Sequence, residues 1–308
     1  MLGMVFAAGL GTRLLPLTER LPKPAVPLVN RPLGAYSMER LAALGVTRCA
    51  VNLHHLADAA EAELSAHRPP SLELTFVREA TLLGTGGGLR NAVERALAEQ
   101  PDPGPVVVMN GDIVFWPDLE GALALHRSLG ALATMVVRAD PRARQLGAIE
   151  TDSEGRVRRL LGAPAEVAGP LSEWMFTGVH VLELDAVRSL PKEGCVIRQG
   201  YRRWVDDGAV VGGFPDGSAW RDLGTKEAYL AAHVELLDGS LRWPGRALEA
   251  VSPEARVEGA ELDRTAVGAG ATIEPGVRLS RCVVWPGTHV RASAEESILT
   301  PTHTLSVG

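Results

Sequence analysis

The chain has 308 residues, of which 46% are hydrophobic and 22% charged, and its formal net charge is −6 at pH 7. This composition is typical of a globular protein, and no apolar run is long enough for a membrane-spanning helix, so we expect a cytoplasmic protein. The net negative charge argues against a nucleic-acid binder, which needs a basic face, and Cys49, Cys195 and Cys282 are too few and too far apart for a disulfide framework or a CxxC metal site.

Residues 4–27, MVFAAGLGTRLLPLTERLPKPAVP, combine a short apolar strand with a glycine turn and two cations. Gly9 and Gly11 let the backbone approach a ligand without side chains in the way. The exposed amides of such a turn form an anion-binding nest, to which Arg13 and Lys23 add positive charge. The triphosphate site predicted from this segment consists of Ala7, Ala8, Gly9, Gly11, Thr12, Arg13 and Lys23.

Two common phosphate-binding motifs do not fit this segment. The dinucleotide-binding fingerprint requires a third glycine at the position of Leu14, and in the Walker motif the lysine follows the glycines far more closely than Lys23 does. The segment instead resembles the amino-terminal motif of the sugar-nucleotide pyrophosphorylases, the nucleotidyltransferases that make nucleoside-diphosphate sugars. This resemblance implies that Arg13 and Lys23 are catalytic.

The next part of the chain alternates between helical and strand patterns. Apolar spacing predicts helices over Pro32–Leu44 and Leu56–His67, and strands over Cys49–Leu53 and Leu72–Val77. Strands separated by helices form a parallel sheet, and ligands bind at the carboxyl edge of such a sheet.

Polar residues end the second of these strands. Asn52 is predicted to be a neutral hydrogen-bonding partner of a base or ribose. The histidines that follow, His54 and His55, are interpreted as capping or solvated residues and not as metal ligands.

A glycine-rich segment, LLGTGGGL at residues 82–89, follows Glu79 and precedes a helix that runs to about Leu97. Four glycines within five positions predict that a flat or bulky ligand passes very close to the backbone. In the sugar-nucleotide pyrophosphorylases this segment packs under the nucleobase, and its triple glycine is most similar to that of the muramic-acid 1-phosphate uridylyltransferases. The nucleotide-binding residues implied here are Glu79, Thr85, Gly86 and Gly87.

The apolar run Pro105–Met109 predicts a central strand that ends at Asn110 and Asp112, with a helix beginning near Pro117. A carboxylate at this edge points to where the phosphates should lie, and such hard oxygen ligands suit Mg²⁺. The resemblance implies that Asp112 is the first metal ligand and that Asn110 contacts the nucleotide.

The following region reads as strands and a hairpin. Strands are predicted over Ala131–Val137 and Met175–Leu182, and a hairpin over Leu146–Glu150 and Val157–Leu161. By resemblance this is the part that faces the sugar.

Thr177 and Gly178 resemble the polar segment that lies beside the sugar in the family. Many members carry Glu-Lys-Pro before it, whose lysine holds the sugar phosphate, whereas residues 161–164 of this chain read LGAP. Arg158 or Arg159 can substitute for that lysine, or they can be solvated hairpin charges. The sugar-phosphate cation stays unassigned at this point.

A predicted helix at Cys195–Val205 and a strand at Val210–Phe214 precede the segment AWRDLGT and an amphipathic helix over Lys226–Leu237. The segment resembles the Trp-x-Asp-x-Gly-Thr element of the family, in which the aspartate is the second metal ligand. Asp222 is therefore predicted to share one Mg²⁺ with Asp112.

The carboxyl-terminal part has a six-residue period. Residues 239–250 read as a linker, after which Val267, Ile273 and Leu279 recur every six positions, as do Val284 and Val290. This period predicts a short left-handed parallel β-helix of hexapeptide repeats over residues 251–308. Its exposed coil edges favour a homo-oligomer.

The predicted fold is therefore α/β: a Rossmann-like mixed sheet of the GT-A-like nucleotidyltransferase type over residues 1–238, then the β-helix tail. The reaction implied is transfer of a nucleotidyl group from UTP or GTP to a sugar 1-phosphate (N-acetylmuramic acid, mannose, heptose or glucose), with release of pyrophosphate. The alternative is a catalytically inactive regulatory subunit that binds sugar nucleotides. Retention of Arg13, Lys23, Asp112 and Asp222 together favours the enzyme.

Overall fold

A mixed sheet and a stack of short parallel strands organise the computed structural model, which describes residues 1–99 and 104–307. The α-helices of this part are α1 (Leu33–Ala43), α2 (Ala57–Ala66), α3 (Gly84–Glu99), α4 (Leu119–Leu129), α5 (Ala143–Leu146), α6 (Leu184–Ser189), α7 (Arg202–Asp206) and α8 (Lys226–Asp238). The strands up to residue 222 are β1 (Leu2–Phe6), β2 (Pro27–Leu28), β3 (Arg31–Pro32), β4 (Arg48–Leu53), β5 (Glu73–Arg78), β6 (Val106–Asn110), β7 (Ile113–Phe115), β8 (Ala133–Arg138), β9 (Ile149–Thr151), β10 (Val157–Leu160), β11 (Ser172–Leu182), β12 (Val211–Pro215) and β13 (Trp220–Asp222). The later strands are β14 (Glu261–Asp263), β15 (Ala266–Val267), β16 (Thr272–Ile273), β17 (Arg278–Ser280), β18 (Val283–Val284), β19 (His289–Val290), β20 (Ala294–Glu295), β21 (Ser297–Leu299) and β22 (Thr304–Ser306).

The large sheet has the strand order β10-β9-β11-β6-β1-β4-β5, with β8 paired to both β11 and β12. Strands β6, β1, β4 and β5 are parallel neighbours, whereas β11 runs antiparallel to β6 and β8. The carboxyl ends of the four parallel strands therefore lie at one edge of the sheet. This confirms the predicted mixed α/β domain, and ligand binding at this edge stays a prediction.

Alternate residues of the central strands enter two different cores. In β1, Met4 packs into one apolar layer and Val5 into the other, and both are fully buried. In β6, Val108 and Val107 divide in the same way. Both faces of the sheet are covered, which explains why these strands read as continuous apolar runs and not as alternating patterns.

Three predicted helices differ from the structure in their details. Helix α3 begins at Gly84, so the glycine-rich segment forms its first turns and is not a connector ahead of it. The predicted helix at Cys195–Val205 is a π-helical turn over Val196–Tyr201 followed by α7. The helix expected near Pro117 begins at Leu119, where Asp118 caps it by accepting a hydrogen bond from the Gly121 amide at 2.8 Å.

The carboxyl-terminal strands stack as three parallel faces, β14-β17-β20, β15-β18-β21 and β16-β19. Val267 pairs with Val284 and Ile273 with Val290, so equivalent positions of successive coils lie above one another. The apolar residues of the six-residue period fill the interior of the stack. This arrangement is compatible with a parallel β-helix.

The carboxyl-terminal stack packs against the amino-terminal loop. Leu14 and Leu17 share one buried apolar cluster with Trp285 and Ile298. The Trp285 indole donates to the Tyr229 hydroxyl at 3.1 Å, and that hydroxyl donates to a backbone carbonyl at the end of the loop. Among the described residues, no helix is both long and apolar enough to cross a membrane.

Candidate active site

The loop of residues 7–27 leaves the carboxyl end of β1 and folds into short 3₁₀ turns. Gly11 has a φ of 63°, and a Cβ atom there would lie 3.0 Å from the Thr18 side chain and 3.1 Å from that of Lys23. The Thr18 hydroxyl donates to the Gly11 carbonyl at 2.9 Å. Gly11 is therefore required by the packing of the loop itself, because a side chain would be strained and crowded there.

Three side chains form the charged centre of the site: Lys23, Asp112 and Asp222. The Lys23 ammonium lies 2.8 Å from Asp112 Oδ2 and 3.3 Å from Asp222 Oδ1. Only 7% of the Lys23 side chain is exposed, against 36% and 40% of the two carboxylates. The Lys23 ammonium is thus held at the floor of the site, and the two carboxylates reach toward solvent.

Strand pairing explains why two acids so distant in sequence meet. Asp112 stands between β6 and β7, and β13 runs antiparallel to β7 with Asp222 opposite Ile113. The two carboxylates therefore start from neighbouring backbone positions. The structure brings the predicted pair together; the metal-binding role of the pair stays a prediction.

The donor set of the charged centre fits a hard divalent cation. Both acids offer carboxylate oxygens to one point, which the ammonium of Lys23 shares, and Mg²⁺ prefers such oxygens. Among the described residues, no group of three or more His, Cys, Asp or Glu side chains could hold a metal. A cation bound here would take its remaining ligands from phosphate and water, as Mg²⁺ commonly does.

Arg13 lies at the open side of the charged centre. Its Nη2 atom is 4.0 Å from Asp222 Oδ2, and 68% of its side chain is exposed. A Cβ atom at Gly224 would lie 2.8 Å from the Arg13 guanidinium, so the absence of a side chain at Gly224 makes room for this cation. An exposed guanidinium such as that of Arg13 can bind a phosphate bidentately.

Asn52 and Glu79 form a buried pair beneath the loop. Asn52 accepts a hydrogen bond from the Ala7 amide at 3.0 Å and donates to Glu79 Oε1 at 2.7 Å, while Glu79 Oε2 accepts from the Leu83 amide at 3.0 Å. A Cβ atom at Gly88 would lie 2.7 Å from Glu79 Oε1. The pair fixes the start of the loop, and direct contact with a nucleotide stays a prediction.

The glycines at the start of α3 pack against the chain itself. A Cβ atom at Gly84 would lie 2.5 Å from the Gly194 carbonyl oxygen, and one at Gly87 would lie 2.3 Å from that of Lys192. The Gly86 amide donates to the Gly194 carbonyl at 2.7 Å. The sequence predicts a ligand as the close neighbour of these glycines; the structure places the backbone of residues 192–194 there.

Thr85 and Thr177 both direct their hydroxyl groups to the backbone. The Thr85 hydroxyl accepts from the Val196 amide at 3.0 Å, and the Thr177 hydroxyl donates to the Val136 carbonyl at 2.7 Å. Thr177 is buried, so the side chain predicted to face the sugar points into the sheet. Gly178 has a φ of 86°, and a Cβ atom there would lie 2.5 Å from the side-chain nitrogen of Asn110. Since Asn110 lines the cleft, the backbone at Gly178 is the part of this segment next to it.

These elements enclose a cleft of 490 Å³ at the carboxyl edge of the sheet. The predicted site residues that line it are Ala8, Gly9, Gly11, Thr12, Arg13, Lys23, Asn52, Glu79, Thr85, Asn110 and Asp112. Those outside its lining are Ala7, Gly86, Gly87, Thr177, Gly178 and Asp222.

Two lining residues that the sequence analysis did not single out are Leu10 and Leu82. These residues are 44% and 40% exposed, and both line the cleft. A nucleobase has two flat apolar faces, and exposed leucines at the mouth of a phosphate-binding cleft are suited to pack on it. The available signal was a leucine within or just before a glycine-rich segment: Leu10 stands between Gly9 and Gly11, and Leu82 stands two positions before Gly84.

A glycine loop at the edge of a parallel sheet, with two cations and two converging acids, is typical of an α/β protein of the nucleotidyl-transfer class. Comparison of the sequence with known families gives the assignment. Residues 2–239 match the nucleotidyl transferase family, and the chain belongs to that family. The nucleotidyltransferase family predicted from the sequence is confirmed.

Curated relatives and a solved structure agree with this assignment. The chain is 33% identical to mannose-1-phosphate guanylyltransferase of Mycobacterium tuberculosis over 304 residues, covering 94% of this chain and 81% of the relative. It is 29% identical to N-acetylmuramate alpha-1-phosphate uridylyltransferase of Caulobacter vibrioides over 256 residues, covering 77% and 97%. The crystal structure of HddC from Yersinia pseudotuberculosis shares the fold, with a TM-score of 0.59 at 23% identity, covering 75% of this chain and 97% of that one.

Proposed function

We propose that the protein transfers a nucleoside monophosphate from a nucleoside triphosphate to a sugar 1-phosphate, forming a nucleoside-diphosphate sugar and pyrophosphate. The observation that carries the proposal is the charged centre, in which Lys23 lies within hydrogen-bond distance of both Asp112 and Asp222. It stands beside the glycine loop and the exposed guanidinium of Arg13. Membership of the nucleotidyl transferase family supports the same reaction.

The reaction joins two anions, so its main requirement is alignment and neutralisation of charge. A sugar-phosphate oxygen attacks the α-phosphorus, the bond to the β-phosphate oxygen breaks, and pyrophosphate leaves. The attacking phosphate is already ionised at neutral pH, so no general base is needed. In-line attack depends on groups that hold both phosphates in place.

We assign each charged residue a task in that alignment. Lys23 contacts the α-phosphate, and Arg13 binds the departing pyrophosphate from the open side. A Mg²⁺ ion held by Asp112 and Asp222 would supply further positive charge on the phosphate oxygens. Loss of one such group costs about 3 kcal/mol of transition-state stabilisation, roughly a hundredfold in rate.

A catalytically inactive sugar-nucleotide-binding subunit is the second candidate. Such a protein has no requirement for the complete set of charged residues. Here Arg13, Lys23, Asp112 and Asp222 are all present and assembled at one edge of the sheet. Their assembly favours the enzyme.

We propose GTP and mannose 1-phosphate as the substrates. The relative that is 33% identical over 94% of this chain is a mannose-1-phosphate guanylyltransferase. UTP with N-acetylmuramic acid 1-phosphate is the second pair, after the function of the Caulobacter relative. The triple glycine is similar to that of the uridylyl enzymes, but two of its members, Gly86 and Gly87, lie against the backbone of residues 192–195, so this similarity does not favour uridine.

We also propose an assembly and a location. The tail, residues 251–308, forms a left-handed parallel β-helix of hexapeptide repeats, joined to the catalytic part, residues 1–238, by the linker 239–250. The stacked parallel faces support this proposal. Copies of the chain associate through the tail into a homo-oligomer, and the enzyme works in the cytoplasm.

A pyrophosphate-release screen tests the proposed function. Each of four nucleoside triphosphates is combined with a panel of sugar 1-phosphates, with and without Mg²⁺. We expect release with GTP and mannose 1-phosphate, and only when Mg²⁺ is present. Folded protein that binds a nucleoside-diphosphate sugar but releases no pyrophosphate with any pair would instead indicate the regulatory subunit.

A further inference from the structure

The chain lacks a lysine at the position where the family binds the sugar phosphate, and the two hairpin arginines do not replace it. Arg158 lies 3.4 Å from Asp152 Oδ2 at the surface of the hairpin. Arg159 donates to Glu150 at 2.9 Å and to the Pro164 carbonyl at 2.9 Å. Both guanidinium groups have partners within the hairpin, so either would have to give up these contacts to meet the sugar phosphate.

Arg138, the last residue of β8, has an unusual guanidinium group. Its Nε and Nη1 atoms are buried, and neither has a hydrogen-bond partner among the described residues. Arg31 shares this feature, but its Nη2 atom forms an ion pair with Glu39. Buried donors without an acceptor are costly, so the Arg138 guanidinium is suited to accept an anionic ligand.

An aromatic ring holds the Arg138 guanidinium in place. The guanidinium carbon lies 5.6 Å from the centroid of the Trp220 ring, a distance at which a cation is attracted to the face of an indole. The Trp220 indole in turn donates to the Thr177 carbonyl at 2.9 Å. The cation is thus positioned before any ligand arrives.

Trp220 connects Arg138 to both the charged centre and the segment predicted to face the sugar. Trp220 and Asp222 are two residues apart on β13 and share a face of that strand. On its other side, β8 pairs with β11, whose ladder with β8 is interrupted between Phe176 and Val179, at Thr177 and Gly178. A sugar 1-phosphate lying along Gly178 would bring its phosphate between Arg138 and the charged centre.

The neighbouring charges match a site for a phosphate. The pKa of Asp140 is lowered to about 2, mainly by hydrogen bonds from Arg142. The charge of Arg138 makes a smaller contribution. The hydrogen bond to Asp140 raises the pKa of Arg142, to which the nearby charge of Asp222 also contributes. Asp140 is therefore paired with Arg142, which leaves the charge of Arg138 available.

We propose that Arg138, stacked on Trp220, binds the phosphate of the sugar 1-phosphate in place of the missing lysine. This inference rests on the proposed function. Two adjacent N–H groups of a guanidinium match two phosphate oxygens, which gives both affinity and orientation. Arg138 is then a binding residue for the acceptor substrate and not for the nucleotide.

The test is steady-state kinetics of Arg138→Met and Arg138→Lys, with Arg158→Met as the matched control. Arg138→Met should raise KM for the sugar 1-phosphate by about tenfold to a hundredfold, the usual effect of losing charged hydrogen bonds, and leave KM for the triphosphate unchanged. Arg138→Lys should recover part of the loss, and Arg158→Met should behave as wild type. An unchanged KM for the sugar 1-phosphate in Arg138→Met would overturn the inference.

The same variants separate this inference from the proposed function. If the wild type turns over and Arg138→Met keeps its KM, the reaction stands and the residue assignment fails. If the wild type releases no pyrophosphate, calorimetric titration with mannose 1-phosphate tests the assignment of Arg138. Weaker binding by Arg138→Met than by the wild type supports the assignment. Equal binding by the two proteins, or no binding by the wild type, contradicts it. A melting curve of each variant shows whether the fold is retained.

Discussion

At the scale of single residues, the charged centre places one ammonium where a metal ion and substrate phosphates are expected. Lys23 neutralises Asp112 and Asp222, which would otherwise repel each other across a short distance. The ammonium would therefore compete with a divalent cation that bound to the same carboxylates. Metal binding and the movement of Lys23 toward the α-phosphate should occur together.

Replacement of Lys23 by Met tests this competition without measuring turnover. The variant should bind Mn²⁺ more tightly than the wild type in the absence of nucleotide, by at least about fivefold, because the two acids keep their full charge. The measurement is a Mn²⁺ titration monitored by electron paramagnetic resonance, and the control is Lys192→Met, a substitution of an exposed lysine. Equal or weaker Mn²⁺ binding in Lys23→Met would show that the ammonium does not compete for the acids.

At the scale of elements, helix α3 and the segment that precedes the π-helical turn pack with almost no space between them. The first turns of α3 lie directly on the backbone of residues 192–194. Glu79 and Asn52 meet the next turn at Gly88. The glycine run therefore sets the position of α3 beside the cleft by close backbone packing.

Gly87→Ala should lower the free energy of unfolding by about 1–3 kcal/mol, the usual cost of overpacking. The reason is that the new methyl group would lie 2.3 Å from the Lys192 carbonyl oxygen, which is backbone and cannot rotate away. Chemical denaturation measures the loss, and Gly217→Ala is the control, because no atom lies within 4 Å of a Cβ there. Equal stability of Gly87→Ala and wild type would mean that this packing is looser than described.

The sequence predicts these elements well where one local pattern decides them. The apolar run of β6, the helical spacing of α1 and the six-residue period of the tail all name buried residues that the structure buries. The partner of the glycine run was not predictable, since it lies more than a hundred residues away along the chain. Glycine permits close approach without specifying what approaches.

The site residues also fall into two groups, those that the sequence predicts and those that it does not. Lys23, Asp112 and Asp222 belong to segments that resemble motifs of the sugar-nucleotide pyrophosphorylases, so their convergence could be predicted from that resemblance. Arg138 belongs to no such motif; its significance depends on buried donors and on a tryptophan from another strand. The orientation of the Thr177 hydroxyl into the sheet likewise depends on the strand pairing, which a single sequence does not specify.

At the scale of the whole molecule, the tail supports the loop that carries Arg13 and Lys23. Leu14 and Leu17 of this loop are buried against Trp285 and Ile298 of the tail. The structure thus links the stability of the tail to the geometry of the site. This contact gives the tail a role within one chain, in addition to any role in assembly.

Trp285→Ala should raise KM for the triphosphate and lower the melting temperature. Large aromatic-to-alanine changes in a core cost about 3–5 kcal/mol, and here the cavity would open directly beneath the loop. Trp285→Phe, which keeps most of the apolar contact and loses the hydrogen bond to Tyr229, should lose only about 1 kcal/mol. Wild-type kinetics in a destabilised Trp285→Ala would separate the tail from the site.

The central claim is that Asp112 and Asp222 act together on one divalent cation during nucleotidyl transfer. It is tested most directly by Mg²⁺-dependent pyrophosphate release from Asp112→Asn and Asp222→Asn, with the exposed Asp185→Asn as control. The account predicts that each of the two site variants keeps its fold and loses at least about a hundredfold in turnover, while the control retains wild-type rates. Wild-type turnover in either site variant would contradict it.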